Sequence, residues 1–567
     1  MLWPKTRLPA AASKVCGTVL ANCASTSVNY RAAGYTNSYL SFQLGGNVTV
    51  TGTSPSFITN TQPDFNSAQD GISLNNTPTT FTVADVTGNA NVDLTVQAAI
   101  GDVNADYAPA ASKVGGVLVK AGPGTMLLSG LNFYSGGTIV SAGTLVAGTT
   151  DNQSLPSGGS SAYAGASDVA GAFGLPGTTI ILGDGNTAAN NASPSLMIGG
   201  AFTVGHPIVV TNLATSGTYR IGGSTDNNAA FTNLITVNQP LAVSQVTSTV
   251  GNALTLSGGI TSGGGSETVT FAGPGNILLT TTPLSDGSGK LGINVSGGSV
   301  TNSVDNTYSG STTVSGGLLA LVNNGVTDAG ISNSASILIG SGATLDVSGQ
   351  SSDTLPVGTG AVSQTIQGSG TLSGNLVVGT LGTLAPGAAA TGRLTVSGST
   401  TLGGATVMKL NNTGSPTSDE LVCASVTVGG TLTVTNVGPA LVPGTVFHLF
   451  STPVAGFSAV NLPAGDNNNY NYTWNNQLAA NGTIVVQTAV VAVNTNPATA
   501  QFKTAVVGGS LQFTWAGDHK GWQLYTNSVG LSATGSWYPV PGSASVTSES
   551  IPMNPAKPNV FFQLRYP

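Results

Sequence analysis

Charge is scarce in this chain. Only 35 of its 567 residues are Asp, Glu, Lys or Arg, which is 6%, whereas an ordinary soluble domain carries about 25%. Glu occurs three times, as Glu267, Glu420 and Glu549. Helix surfaces are normally filled with Glu, Lys and Arg, so the chain has almost nothing from which to build helices. Arg occurs five times (Arg7, Arg31, Arg220, Arg393 and Arg565), no basic run exists, and the net charge is −7. That excludes the electrostatic footprint of a nucleic-acid binder. No apolar run approaches the ~18 residues that a transmembrane helix requires. Cysteine is equally sparse. Cys16 and Cys23 could pair in an oxidising compartment, which would leave Cys423 over. Cys423 lies in Leu421-Val422-Cys423-Ala424-Ser425-Val426, a strand pattern that reads as a buried, inert thiol.

What the chain does contain is strand and turn chemistry. There are 79 glycines with abundant Ser, Thr, Asn and Val. A hydrophobic content of 40% argues against a disordered Gly/Ser tract. The organising stretch is residues 114–148, where four apolar bursts are bounded by Gly: Val117-Leu118-Val119, Met126-Leu127-Leu128, Ile139-Val140 and Leu145-Val146. Each is long enough to seed a strand and too short for a helix. The stretch resembles the autotransporter-associated β-strand repeat, also called the passenger-associated transport repeat. The matching residues are Gly122, Gly124, Thr125, Leu128, Gly130, Asn132, Tyr134, Gly136, Gly137, Thr138, Val140, Gly143, Thr144 and Leu145. Met126 replaces the family's usual Leu, a volume-conserving exchange. The resemblance implies a coil of a right-handed parallel β-helix in a surface-displayed protein and names no reaction.

The chain length alone suggests about four domains, but a solenoid grows in one dimension without needing new cores. Residues 1–29 hold Lys5, Arg7 and Lys14 around a weak apolar stretch. They fit a secretory signal poorly and read as an N-terminal segment or targeting remnant. Residues 30–490 are expected to form one passenger-like β-helix, with repeats near 114–148, 272–322 and 366–380. Residues 151–171 have little to bury and are expected to loop away from the solenoid. In the second repeat Gly275 precedes Asn306 by 31 positions, against eight between Gly124 and Asn132. An insertion of 23 residues looping out of one coil is the simplest expectation. Asn-rich residues 467–476, with Tyr470, Tyr472 and Trp474, suit a polar and aromatic cap on the closing coils. A linker at 491–497 then leads to a small β-sandwich-like domain at 498–567. That last segment is too short, and too interrupted by Pro539, Pro541, Pro552, Pro555 and Pro558, for the eight or more spanning strands of a membrane barrel. It is expected to be a soluble sorting or attachment module.

No catalytic constellation emerges. His206, His448 and His519 lack metal-ligand spacing and read as a turn residue, a strand residue and a turn residue. Asp286-Gly287-Ser288-Gly289-Lys290 lacks the spacing of a phosphate-binding loop. Polysaccharide-cleaving β-helices need clustered carboxylates. The candidates are Asp184 near Asn186, and the adjacent Asp419 and Glu420; the adjacent pair would face opposite sides of a strand. The reading is therefore all-β: a right-handed parallel β-helix followed by a small β domain. No catalytic, cofactor or metal residues are assigned. The resemblance implies a noncatalytic adhesin, stalk or envelope scaffold outside a Gram-negative-type cell, with glycans or envelope components as partners. A polysaccharide-binding or polysaccharide-cleaving β-helix is the alternative.

Overall fold

The structure is a computed structural model that describes residues 13–15, 42–44, 46–59, 72–74, 78–102, 115–151, 153–154, 169–211, 216–249, 251–466, 470–532, 534–556 and 559–566. Cys16, Cys23, most of residues 1–29 and 151–171, and Asn467 to Asn469 lie outside the described residues. The chain forms two compact units. The first comprises residues 1–388, 393–406 and 422–430; the second comprises 389–392, 407–421 and 431–567.

The first unit is a parallel β-helix. Short strands, usually three to six residues, alternate buried and less buried positions and end at Gly-bearing corners. A typical coil runs through Tyr219–Gly223, Ala229–Phe231 and Ile235–Val237 before Leu241–Gln245 returns beside the first of these strands. Apart from the short antiparallel pair Gln153–Ser154 and Val169–Ala170, the described strands pair in parallel with their counterparts in neighbouring coils, so each face of the solenoid is a sheet. Period-two side-chain alternation then sends every second residue into the interior.

Register turns that alternation into stacks. On the central face Met126, Leu145, Leu196, Ile221, Val243, Phe271, Val295, Val314 and Ile339 lie one above another, and all are buried. On a lateral face Leu118, Thr138, Ile180, Ile208, Ile235 and Ile260 form another inward column. Burying each aliphatic side chain contributes about 1.5–3 kcal/mol. No coil could obtain that alone, because its interior is closed by its neighbours. Leu128, Val140 and Leu145 all point inward, as the pattern of the repeat predicts.

Lys120 interrupts one of these columns. It stacks between Phe81 and Val140, where the pattern calls for an aliphatic residue. The side chain is fully buried. Its ammonium donates to the carbonyls of Gly122 (2.9 Å), Ala142 (2.9 Å) and Ala121 (3.1 Å). Burial lowers its pKa to about 7, against an opposing pull from Asp93.

The 23-residue insertion expected in the second repeat does not loop out. Lys290–Val295 joins the central face, beside Ser266–Ala272 and Thr312–Val314. Ser299–Asn302 pairs with Asn276–Leu279 before it and Leu318–Val322 after it. The extra residues are an additional turn of the helix, because their alternating apolar residues (Leu291, Ile293, Val295 and Val300) fit the same interior.

In the second unit, Thr431–Asn436 pairs in parallel with Ala459–Asn461. An antiparallel sheet of Val446–His448, Thr483–Val491 and Tyr470–Gln477 follows. Tyr470 stacks on Tyr472 with ring centres 6.2 Å apart, and the Tyr472 hydroxyl donates to Asp466 at 2.6 Å. Trp474 Nε1 donates to the Pro463 carbonyl at 2.7 Å. Further along, Lys503–Val507, Ser510–Thr514 and Ser548–Pro552 make one antiparallel sheet; Tyr538–Pro539, Gln523–Asn527 and Phe561–Arg565 make another. The two share a core of Phe513, Trp515 and Leu524, packed by Leu511, Val540, Ile551, Phe562 and Leu564. This is the small sandwich that the aromatic strands lead one to expect.

Candidate functional site

The most built feature of the β-helix is a corner that occurs twice. In the first copy Asn132 and Tyr134 are completely buried. Asn132 Oδ1 accepts the Ile100 amide at 2.9 Å, and its Nδ2 donates to the Ala172 carbonyl at 2.7 Å. The side chain thus ties its own coil to those on both sides. The Tyr134 hydroxyl lies 2.7 Å from Thr138 Oγ1, and burial drives its ionisation well above the usual tyrosine range. In the second copy Asn306 accepts the Leu284 amide at 2.8 Å, and Tyr308 meets Thr312 at 2.6 Å. An aspartate two residues beyond each amide completes the corner. Asp102 accepts from the amides of Gly116 (2.7 Å) and Ser135 (3.0 Å). Asp286 accepts from Leu291 (2.9 Å) and Ser309 (3.0 Å). Burial alone would raise Asp286, but those amides and Lys290 outweigh it and lower its pKa.

Glycines let the coils approach at these corners. A Cβ on Gly136 would meet the Gly116 carbonyl oxygen at 2.6 Å, and one on Gly310 would meet that of Leu291 at 2.1 Å. At the following corner Gly143 and Gly317 adopt φ of +65° and +69°, conformations that glycine takes without a steric cost.

Two segments of the chain are similar to the passenger-associated transport repeat. The family's sequence profile, described as passenger-associated-transport-repeat, matches residues 118–147 and 302–321. The first segment holds its corner with the strands on both sides, and the second runs from Asn302, the end of the preceding strand, through its corner to Leu321. Among solved structures, the Haemophilus influenzae Hap adhesin aligns at 13% identity and a TM-score of 0.26. The alignment covers 79% of this chain and 53% of the adhesin, so this chain spans about half of that protein's length. No curated protein matches the sequence.

The two copies define the repeat as a structural unit. Thr125 pairs with Thr144 and Ser299 with Leu318, so each copy is one coil of 19 residues. Each coil contains only two strands, joined by the Asn–Tyr corner and then by the Gly corner. The faces differ, however. The strand after the corner, Thr138–Val140, lies on a lateral face in the first copy, whereas its counterpart Thr312–Val314 lies on the central face in the second. The motif therefore specifies a bend and its bracing, independent of which sheet receives it.

Two of the carboxylates singled out for chemistry, Asp184 and Asp419, are engaged in holding backbone. Asp184 caps the short helix Gly185–Asn190 and accepts from Ser141 Oγ at 2.6 Å. Its burial would raise the pKa, but the bonds from Ser141, Thr187 and Asn186 lower it. Asp419 lies just before the strand Glu420–Val422, and Glu420 is half-buried. Asp419 is buried and meets Lys409 at 2.8 Å, while also accepting the Gly392 and Lys409 amides at 2.8 Å each. Burial raises Asp419 despite Lys409. Cys423 is a buried thiol whose pKa burial raises against a hydrogen bond with Thr400, which keeps it in its protonated, weakly nucleophilic form at neutral pH.

The histidines divide. His448 is an exposed strand residue, as its alternation indicates. His206 lies in the bend between Thr203–Val204 and Ile208–Val210 and is buried there, with Nδ1 2.7 Å from the Thr178 carbonyl and Nε2 3.4 Å from Asp151 Oδ2. Asp151 is held by the Ala172 and Gly205 amides at 3.1 and 2.8 Å, a convergence of distant coils that sequence spacing could not reveal. His519 is also buried; its Nδ1 faces Asp518 at 2.7 Å and its Nε2 the Asn496 carbonyl at 3.0 Å. Both ring nitrogens are thereby engaged within the fold, and the buried ring presents neither of them to a substrate.

Among the described residues, no group of three or more His, Cys, Asp or Glu side chains gathers as a metal site. A cleft of about 300 Å³ in the first unit has Leu321, Ile331 and Leu355 in its walls and one carboxylate, Asp328, in its lining. That carboxylate accepts from Ser351 and Asn323, whose hydrogen bonds hold its pKa low.

Proposed function

We propose that the chain is a noncatalytic, passenger-like β-helical protein of the bacterial exterior, acting as an adhesin or scaffold. The observation that carries this reading is the use of its few carboxylates. Asp93, Asp102, Asp151, Asp286 and Asp419 each accept two or more backbone amides. Acid–base catalysis on a polysaccharide would need such groups free and converging; here they brace turns. The passenger-associated repeat supports an exterior location, and its presence suits a cell with a Gram-negative-type envelope. Residues 498–567 serve in this reading as a soluble attachment module. The test is protease accessibility on intact producing cells, combined with glycan-array binding and polysaccharide-cleavage assays on purified chain. Surface cleavage with glycan binding and no turnover is expected. Protection of the chain in intact cells, or depolymerisation of a polysaccharide, would overturn the proposal.

A further inference from the structure

The sandwich at residues 498–567 carries an outward face on which a cation meets aromatic rings. In the sheet Tyr538–Pro539, Gln523–Asn527, Phe561–Arg565, Leu524, Phe562 and Leu564 turn into the core. Alternation puts Tyr525, Gln563 and Arg565 on the other side. There the Arg565 guanidinium lies over two rings, 5.2 Å from the centre of Tyr525 and 5.4 Å from that of Trp537. With its amide turned so that the oxygen faces the guanidinium, Gln563 accepts from Arg565 Nε and Nη2. The Tyr525 hydroxyl donates to Gln523 Oε1 at 3.2 Å.

Among the described residues of this segment, no acidic side chain shares a face with this cation. The two acids of residues 498–567 are Asp518 and Glu549. Asp518 is bound to Asn494 and His519, and Glu549 belongs to the opposite sheet. Four basic against two acidic residues give this segment +2 within a chain of −7. We propose that this face binds a carboxylate-bearing polysaccharide of the uronate type. The clamped guanidinium keeps free N–H donors in a fork that fits a carboxylate two-pronged. The neighbouring amides suit hydroxyl groups, and the rings suit the C–H face of a pyranose. An acidic peptide fits less well. Tyr525 sits on the central strand, paired on both edges, so a peptide cannot add there as another strand.

This inference rests on the exterior reading only for where such a polymer would be met; binding by purified chain does not depend on location. The experiment is calorimetric titration of the full chain with hexagalacturonate, cellohexaose and hexaglutamate. Binding of hexagalacturonate alone is expected, weakened about tenfold or more in Arg565→Gln and nearly as much in Arg565→Lys, since an ammonium lacks the fork. Trp537→Ala should weaken it too, and each variant should keep the parent's melting temperature. Should Arg565→Gln fail to fold, Arg565→Lys carries the decision. No binding of hexagalacturonate, equal binding of cellohexaose or hexaglutamate, or unchanged affinity in a folded Arg565→Lys would each overturn the proposal.

Discussion

Replacing Lys120 by Met separates two opposing effects at the centre of the first repeat. The lysine occupies an inward column, so Met fills much of the same volume without a charge. Its loss leaves the carbonyls of Ala121, Gly122 and Ala142 without their shared donor, at about 1–3 kcal/mol for each that water cannot reach. That cost does not depend on pH. The ionisation term does. Burial takes the ammonium from its ordinary 10.5 to about 7, equivalent to about 5 kcal/mol. Above 10.5 both folded and unfolded chains hold a neutral amine. Between 10.5 and 7 the unfolded chain binds a proton that the folded chain rejects, so stability falls as pH falls through this window. Below 7 the whole penalty is present. The parent should therefore gain about 3 kcal/mol between pH 7 and about 9.5 relative to Lys120→Met. Urea unfolding of both proteins across that range, with amide exchange around residues 118–147 as a local reporter, measures it. Parallel stability curves would show that the three carbonyls hold the ammonium charged throughout, and that the burial argument fails.

Three further outcomes follow from the same geometry. Asn132→Leu keeps the volume but orphans the Ile100 amide and the Ala172 carbonyl; a loss of about 2–6 kcal/mol is expected by chemical denaturation, and a loss below 1 kcal/mol would refute the bracing role. Lys409→Met leaves Asp419 buried with a raised pKa and should cost about 3–5 kcal/mol near neutral pH. That loss should shrink as acid protonates the carboxylate, and a pH-independent loss would count against the ion pair. Gly310→Ala places a Cβ 2.1 Å from the Leu291 carbonyl oxygen, so the coils must part there; a melting-point drop is expected, larger than for Gly360→Ala, whose Cβ would meet nothing within 4 Å.

The strands of the first repeat are legible because their apolar bursts obey period two and their corners require glycine. The same rule makes Cys423 readable as buried. What stays hidden is pairing between coils. Nothing near His206 points to Asp151, 55 positions earlier, because the contact is created by stacking. Lys120 is hidden for a different reason: a lysine in an apolar burst reads as the burst's polar edge, and only register shows it inside. The extra coil in the second repeat is misread because Gly275-Asn276-Ile277-Leu278-Leu279 matches the repeat's opening better than the true opening does. Gly298-Ser299-Val300-Thr301-Asn302 stands there instead, 174 positions after Gly124-Thr125-Met126-Leu127-Leu128.

That substitution separates what the repeat must keep from what it can give up. Asn302 occupies the place of Leu128 and is as buried, yet the corner beyond it is unchanged. It satisfies itself locally, its Nδ2 donating to the Val304 carbonyl at 2.9 Å. The aliphatic positions of the opening strand are interchangeable, because any side chain that fills the space and leaves no unpaired polar group will stack. Asn, Tyr, Thr and the close-approach Gly have no such freedom. Each answers a named backbone group in the neighbouring coil or a named side chain at the corner, and the preceding coil supplies a matching aspartate two residues past the bonded amide. A corner fixed on both sides in this way can follow a strand on either face. The recognisable residues of the repeat are therefore those that bend the chain and brace it to the adjacent coil, while the faces left between corners are free to vary.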